Sequence, residues 1–246
     1  MKNKNIMEKI IKDKKMSLFF SIIFIFLLFI IVYVIVNNNK QKNSLSMEDR
    51  QEIIRAGNFV ASSLRFIDDS DIVLGKKNSK VSVIVYEDLS DYYSVKFDET
   101  LDLIFEEFKN NIIVAFRPYI SEKSSVSNSL NLFAYCANKQ NKFFETRKII
   151  LNFNKNDFLF EEDFFEFLKE LDLEEESFNL CMNSNESFEV LLGLKKEAEN
   201  FDVYGVPTIF VNQEMIVGSR KFEDIINLEG EKIEGMKNII IRNLNK

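Results

Sequence analysis

From Ser17 to Val36 the chain carries only Phe, Ile, Leu, Val, Tyr and Ser, with no charge. As a helix rising about 1.5 Å per residue, this run spans roughly the 30 Å of a hydrocarbon core. Inside lipid a helix satisfies its own backbone, so the pattern predicts one transmembrane anchor over residues 17–36. Lys2, Lys4, Lys9, Lys12, Lys14 and Lys15 precede it, and only Lys40 and Lys42 come soon after it. That asymmetry keeps residues 1–16 cytoplasmic and exports residues 37–246 to the periplasm or cell surface. A cleaved signal peptide is the competing reading. Against it, the run exceeds a usual signal core, and Val36-Asn37-Asn38-Asn39 offers no small-x-small cleavage site.

Beyond the anchor the pattern becomes that of a water-facing domain. Residues 37–46 are polar and read as a tether. Ile53, Ile54, Phe59, Val60 and Leu64 can share one side of an amphipathic helix over Ser46 to Phe66. Residues 37–69 thus form tether and helix, and residues 70–246 form the domain. Within it, Gly75 to Lys80 reads as a turn and Val81 to Tyr86 as a buried strand. From about Asp91, Phe97, Leu101, Ile104, Phe105 and Phe108 recur on one helical face. Ile112 to Phe116 is a second strand, so strand, helix and strand predict a parallel crossover unit.

Residues 124–200 read as helical almost throughout, with a stripe of Phe160, Phe164, Phe167, Leu168 and Leu171. Two short strands, Thr208 to Val211 and Met215 to Val217, flank the turn Asn212-Gln213-Glu214. A terminal helix is expected over Glu231 to Leu244. The order predicts an α/β domain with a helical insertion over about residues 120–200.

Composition removes several kinds of chemistry. There is no histidine, which excludes imidazole general bases, Ser-His-Asp triads and zinc sites built on imidazole. No cofactor or metal is expected. The chain carries −7, and residues 1–16 carry +4, which leaves the exported part near −11. Such a surface does not suit nucleic acid, whose phosphates require basic partners. Fourteen acids lie between Asp157 and Glu199, against Lys169, Lys195 and Lys196, and read as a solvated outer face. Cys136 and Cys181 are the only cysteines and lie too far apart for a local redox motif.

Several stretches, in order, carry a family likeness. Val73 to Val81 leads into the first central strand. Glu87-Asp88-Leu89-Ser90-Asp91-Tyr92-Tyr93-Ser94 precedes the amphipathic helix. Phe116-Arg117-Pro118 closes the next strand. Ala134 to Glu145 and Phe178 to Cys181 fall in the insertion, and Tyr204-Gly205-Val206-Pro207-Thr208 precedes the hairpin, with Gly218 after it. Over roughly residues 70–228 the chain resembles the DsbA-like branch of the thioredoxin fold.

The resemblance implies a thioredoxin-like fold, a cis bond before Pro207, and a helix start that in the family bears Cys-x-x-Cys. Here Asp91 and Ser94 stand at the two cysteine positions, and Val85 replaces an acid often found six residues earlier. Neither a carboxylate nor a hydroxyl can form a mixed disulfide. Asp91 suits a helix N-cap, with Ser94 able to join the hydrogen bonding. The alternative is an anion that replaces the thiolate and still recruits a partner. Export favours a bridge between Cys136 and Cys181, and related domains pair cysteines in this insertion, though two buried thiols are also compatible with the sequence. Tyr92, Tyr93, Val206 and Pro207 are the candidate contact surface for an extended peptide, which in the family pairs with the backbone before the proline. The reading is therefore a membrane-anchored, redox-inactive peptide or unfolded-protein binder; the rival is a thiol-disulfide oxidoreductase.

Overall fold

A computed structural model describes residues 64–121, 124–156 and 169–246. The expected anchor over residues 17–36, and the amphipathic segment up to residue 63, lie outside them. Among the described residues no helix is long and apolar enough to cross a membrane.

The domain is built on the parallel unit. Strand β2 (Val81–Glu87) and β3 (Ile112–Pro118) run parallel, with Val83 opposite Val114, and α1 (Tyr92–Phe108) joins them. Both strands are buried on two faces, which accounts for their nearly unbroken apolar character. Strand β4 (Thr208–Val211) lies antiparallel on the other side of β2, and β5 (Glu214–Val217) forms a hairpin with β4. A further strand, β1 (Ile72–Gly75), pairs antiparallel with β3, giving the order β1-β3-β2-β4-β5.

Side chains on β2 alternate between two cores. Val81, Val83 and Val85 pack in the larger one, with Phe97, Leu101, Ile104 and Phe108 of α1 and Met236, Ile239 and Ile240 of the last helix. Ile84 and Tyr86 point the other way, towards Ala115, Phe210, Ala198 and Val203. The strand period of two and the helix spacing read from the sequence therefore meet in one interface.

The insertion comprises α2 (Ser125–Asn138), α3 (Phe143–Asn156), α4 (Glu175–Met182) and α5 (Asn185–Asn200). Of the Phe160 to Leu171 stripe, only Leu171 is among the described residues, and it is buried. Cys136 on α2 and Cys181 on α4 form a disulfide, with an S–S distance of 2.04 Å and Cα atoms 5.7 Å apart. The two helices also meet through Phe133 and Phe178, whose ring centroids are 4.7 Å apart.

Four expectations are corrected. Strand β1 overlaps the stretch from Val73 expected only to lead into β2, and its half-buried edge position leaves no buried-strand pattern in the sequence. Gly75 ends it at φ +106, where a Cβ would come within 2.5 Å of the Ile112 carbonyl oxygen. Leu64 to Phe66, the end of the expected amphipathic helix, are not helical. The turn between β4 and β5 is only Asn212-Gln213, with Asn212 at φ +55, so Glu214 belongs to the strand. Finally, the last helix, α6, spans Met236–Leu244 and does not begin at Glu231. Residues 225–233 instead form a small hairpin, β6 (Ile225–Ile226) and β7 (Lys232–Ile233). The Asn227 side chain receives the amides of Glu229 and Glu231 and holds that turn closed.

Candidate functional site

The carboxyl end of β2 and the start of α1 form the site. Asp91 is the N-cap of α1, in an extended conformation, and its Oδ1 accepts the amides of Tyr93 and Ser94, both at 2.9 Å. The Asp91 amide in turn donates to the Asp88 carbonyl at 2.9 Å. Burial pushes the Asp91 carboxyl above its ordinary pKa, and the charge of Asp88 adds to the shift, against the two amide bonds. The cap thus has the geometry expected of Asp at this position.

Ser94 is 1% exposed, and its hydroxyl accepts the Asp88 amide at 3.4 Å. It offers no open nucleophile. Val85, at the position where the family often has an acid, is fully buried in the larger core.

The support beneath this start comes largely from the insertion. The buried Asp88 carboxylate accepts the Ser90 amide at 2.9 Å, the Ser90 hydroxyl at 2.8 Å, Asn131 Nδ2 at 2.8 Å and the Ser127 hydroxyl at 2.5 Å. Next to it, Arg147 of α3 spans two buried acids. Its Nε and Nη2 donate to the two Glu87 oxygens at 2.7 and 2.8 Å, and Nη1 donates to Asp98 at 2.6 Å. Burial disfavours the Arg147 charge, but Glu87 and Asp98 outweigh that and raise its pKa. Sequence reasoning missed Ser127, Asn131 and Arg147. A signal for the first two was present: they stand four apart on α2, among the buried apolar positions Leu130, Phe133, Ala134 and Ala137.

The second wall is the segment before β4. Tyr86 of β2 pairs with Thr208 at the start of β4, so Val206 and Pro207 enter the sheet at the end where β2 runs on into α1. The Val206–Pro207 bond is cis. The Pro207 carbonyl accepts the Gly218 amide at 2.8 Å, and the Thr208 hydroxyl donates to the Gly205 carbonyl at 2.7 Å. Among the described residues, neither the N–H nor the C=O of Val206 makes a hydrogen bond. Pro207 is buried and Val206 half-buried. Tyr92 and Tyr93 are 61% and 56% exposed and meet edge to face with centroids 5.3 Å apart. The register thus brings Asp91, Ser94, Tyr92 and Tyr93 to the same end of the sheet as Val206 and Pro207. Cys136 and Cys181 belong to the insertion and take no part in this start.

A mixed sheet with a parallel crossover, a capped helix start facing a cis-proline, and an inserted set of helices define a thioredoxin-fold protein. The thioredoxin family model matches residues 68–228, and the chain belongs to that family. Solved structures agree on the fold. Alpha-DsbA1 from Wolbachia pipientis is 18% identical, with a TM-score of 0.58 over 74% of this chain and 94% of that one. The thiol-disulfide exchange protein alpha-DsbA2 from the same organism is 15% identical, with a TM-score of 0.57 over 72% and 87%. A periplasmic thioredoxin-like protein from Salmonella enterica serovar Typhimurium is 14% identical, with a TM-score of 0.57 over 76% and 97%. By sequence, no curated protein matches the chain.

Proposed function

We propose that this is a membrane-anchored, extracytoplasmic thioredoxin-like protein that binds extended peptide or unfolded protein without redox chemistry. One observation carries the reading: the start of α1 is closed by its own Asp91 carboxylate, while Val206, at the same end of the sheet, keeps an N–H and C=O that are unpaired among the described residues. The first feature removes the position from which a thiolate would act. The second leaves the edge on which a strand can be added. The exposed rings of Tyr92 and Tyr93 supply amphipathic surface next to that edge. Anchoring rests on the uncharged run over residues 17–36 and its lysine-rich flank.

A thiol-disulfide oxidoreductase is the second reading. It is favoured by the family and by the Cys136–Cys181 bridge, in which Cys181 is only half-buried. Against it, neither cysteine lies at a helix start, where a thiolate is stabilised.

The test is titration of an extended apolar peptide into the full chain and into a Tyr92→Ala/Tyr93→Ala variant, with folding checked by circular dichroism. Binding by the wild type that weakens in the variant supports the reading. No binding by the wild type, or equal binding by both, removes the site from this surface. Protease added to intact spheroplasts checks the topology: residues 47–246 are degraded and the lysine-rich N-terminus is protected. A mature chain beginning near Asn37 contradicts the anchor.

A further inference from the structure

Negative charge at the start of α1 is not matched by a cation. Among the described residues, neither Asp88 nor Asp91 pairs with a lysine or arginine. Asp88 is compensated by neutral donors from Ser90, Ser127 and Asn131. Asp91 has two cap amides and lies half-buried beside that second carboxylate. The guanidinium of Arg147 is engaged by the neighbouring Glu87 and Asp98. The nearest cation on α1, Lys96, lies over the Tyr92 ring at 4.6 Å and is solvent-exposed.

Three independent features converge here. Among the described residues Val206 presents an unpaired backbone donor and acceptor, at the end of the sheet where β2 runs on into α1. The two tyrosine rings are more than half exposed. Asp91, immediately before the tyrosines in the chain, is a half-buried anion that the fold holds at a cost, as the upward displacement of its pKa by burial indicates. Strand pairing to Val206 reads no side chain, so selection must come from the side chains that flank it. A guanidinium or ammonium placed there would gain the carboxylate and pack its stem on the exposed tyrosine rings, and would offset the burial of Asp91.

We infer that the peptide taken by the Val206 edge is selected for a basic side chain, Lys or Arg, with Asp91 as the specificity-determining residue. The inference rests on the peptide-binding reading above and adds the chemistry of its ligand. A net-acidic domain also draws basic segments at a distance, and salt weakens that attraction. Lys96 opposes an incoming cation only weakly, because its own charge is solvated and held over Tyr92.

The experiment uses the full chain in detergent and three extended peptides that differ at one central position: Lys, Gln or Glu. Affinities are measured for the wild type and for Asp91→Asn, which keeps a capping side chain. Asp91→Ser, also a good cap, guards against a folding defect in the first variant. The Lys peptide is expected to bind the wild type about five- to tenfold more tightly than the Gln peptide, with Glu weakest. That ratio should collapse towards one in both variants and shrink as salt is added. Equal binding of the Lys and Gln peptides overturns the inference while leaving the peptide edge in place. A Lys preference that persists in both Asp91 variants overturns the role of Asp91. Absence of binding by any peptide removes the edge itself, and the inference with it.

Discussion

Oδ1 of Asp91 lies 2.9 Å from the amide nitrogen of Ser94, so the two positions that the family resemblance sets against its cysteine pair are joined here by a helix cap. The same oxygen takes the Tyr93 amide. In a thiol enzyme these amides and the helix dipole stabilise a thiolate. Here they are consumed by a carboxylate belonging to the helix itself.

Removing the cap should therefore cost stability in a graded way. Asp91→Ala is expected to lose about 1 kcal/mol in urea unfolding, and Asp91→Asn only a few tenths. The pH dependence has a definite sign. Burial raises the folded-state pKa of Asp91, so the fold favours its neutral form. Its contribution is fully present below the ordinary Asp pKa and is lost as pH rises through the folded value. The stability of Asp91→Asn relative to wild type should accordingly improve over that rise, whereas Asp91→Ala should remain below Asp91→Asn throughout.

Arg147 is the largest single dependency beneath the site. It is 6% exposed and is bonded to both Glu87 and Asp98. Arg147→Met removes the cation that both buried carboxylates share, which is expected to cost roughly 3–5 kcal/mol in equilibrium unfolding. A loss below about 1 kcal/mol would show that the acids protonate or rehydrate cheaply.

On the opposite side of the sheet, acid acts through Asp71. The Asp71 side chain is nearly fully buried, and burial alone would raise its pKa, but bonds from Arg117 at 2.8 and 3.0 Å hold it below the usual carboxylate value. With a depressed folded pKa, the stabilisation is present above the unfolded value and is lost as pH falls through the folded one. Asp71→Asn should therefore be less stable than wild type at neutral pH and show a flatter decline between about pH 4 and the acid limit.

The Cys136–Cys181 bridge closes a sequence separation of 45 residues. In the chain-entropy model such a closure stabilises by about 4 kcal/mol. The Cys136→Ser/Cys181→Ser double variant should lose a stability of that order, read as a lower urea midpoint. An unchanged midpoint would assign the bridge no structural role.

The sheet centre is legible in the sequence because β2 and β3 are buried on both faces and α1 presents a regular apolar stripe. Those patterns arise from burial alone. Strand β1 and the β6–β7 hairpin are not legible: β1 is a half-buried edge strand that ends directly in a turn, and two-residue strands are too short for a period to register. The site divides in the same way. Asp91, Ser94, Tyr92, Tyr93, Val206 and Pro207 stand out because they occupy two short local segments. The anchoring of Asp88 by Ser127 and Asn131, and of Glu87 by Arg147, spans 39 to 60 residues and depends on how the insertion packs. Only the fold brings those partners together.

The most direct measurement is a thiol-disulfide exchange assay on the full chain in detergent, alongside the Cys136→Ser and Cys181→Ser variants. With Asp91 and Ser94 at the start of α1, the wild type is expected to show no disulfide reductase or oxidase turnover above the variants. Turnover by the wild type that disappears in either cysteine variant would contradict this and establish the insertion disulfide as the working redox pair.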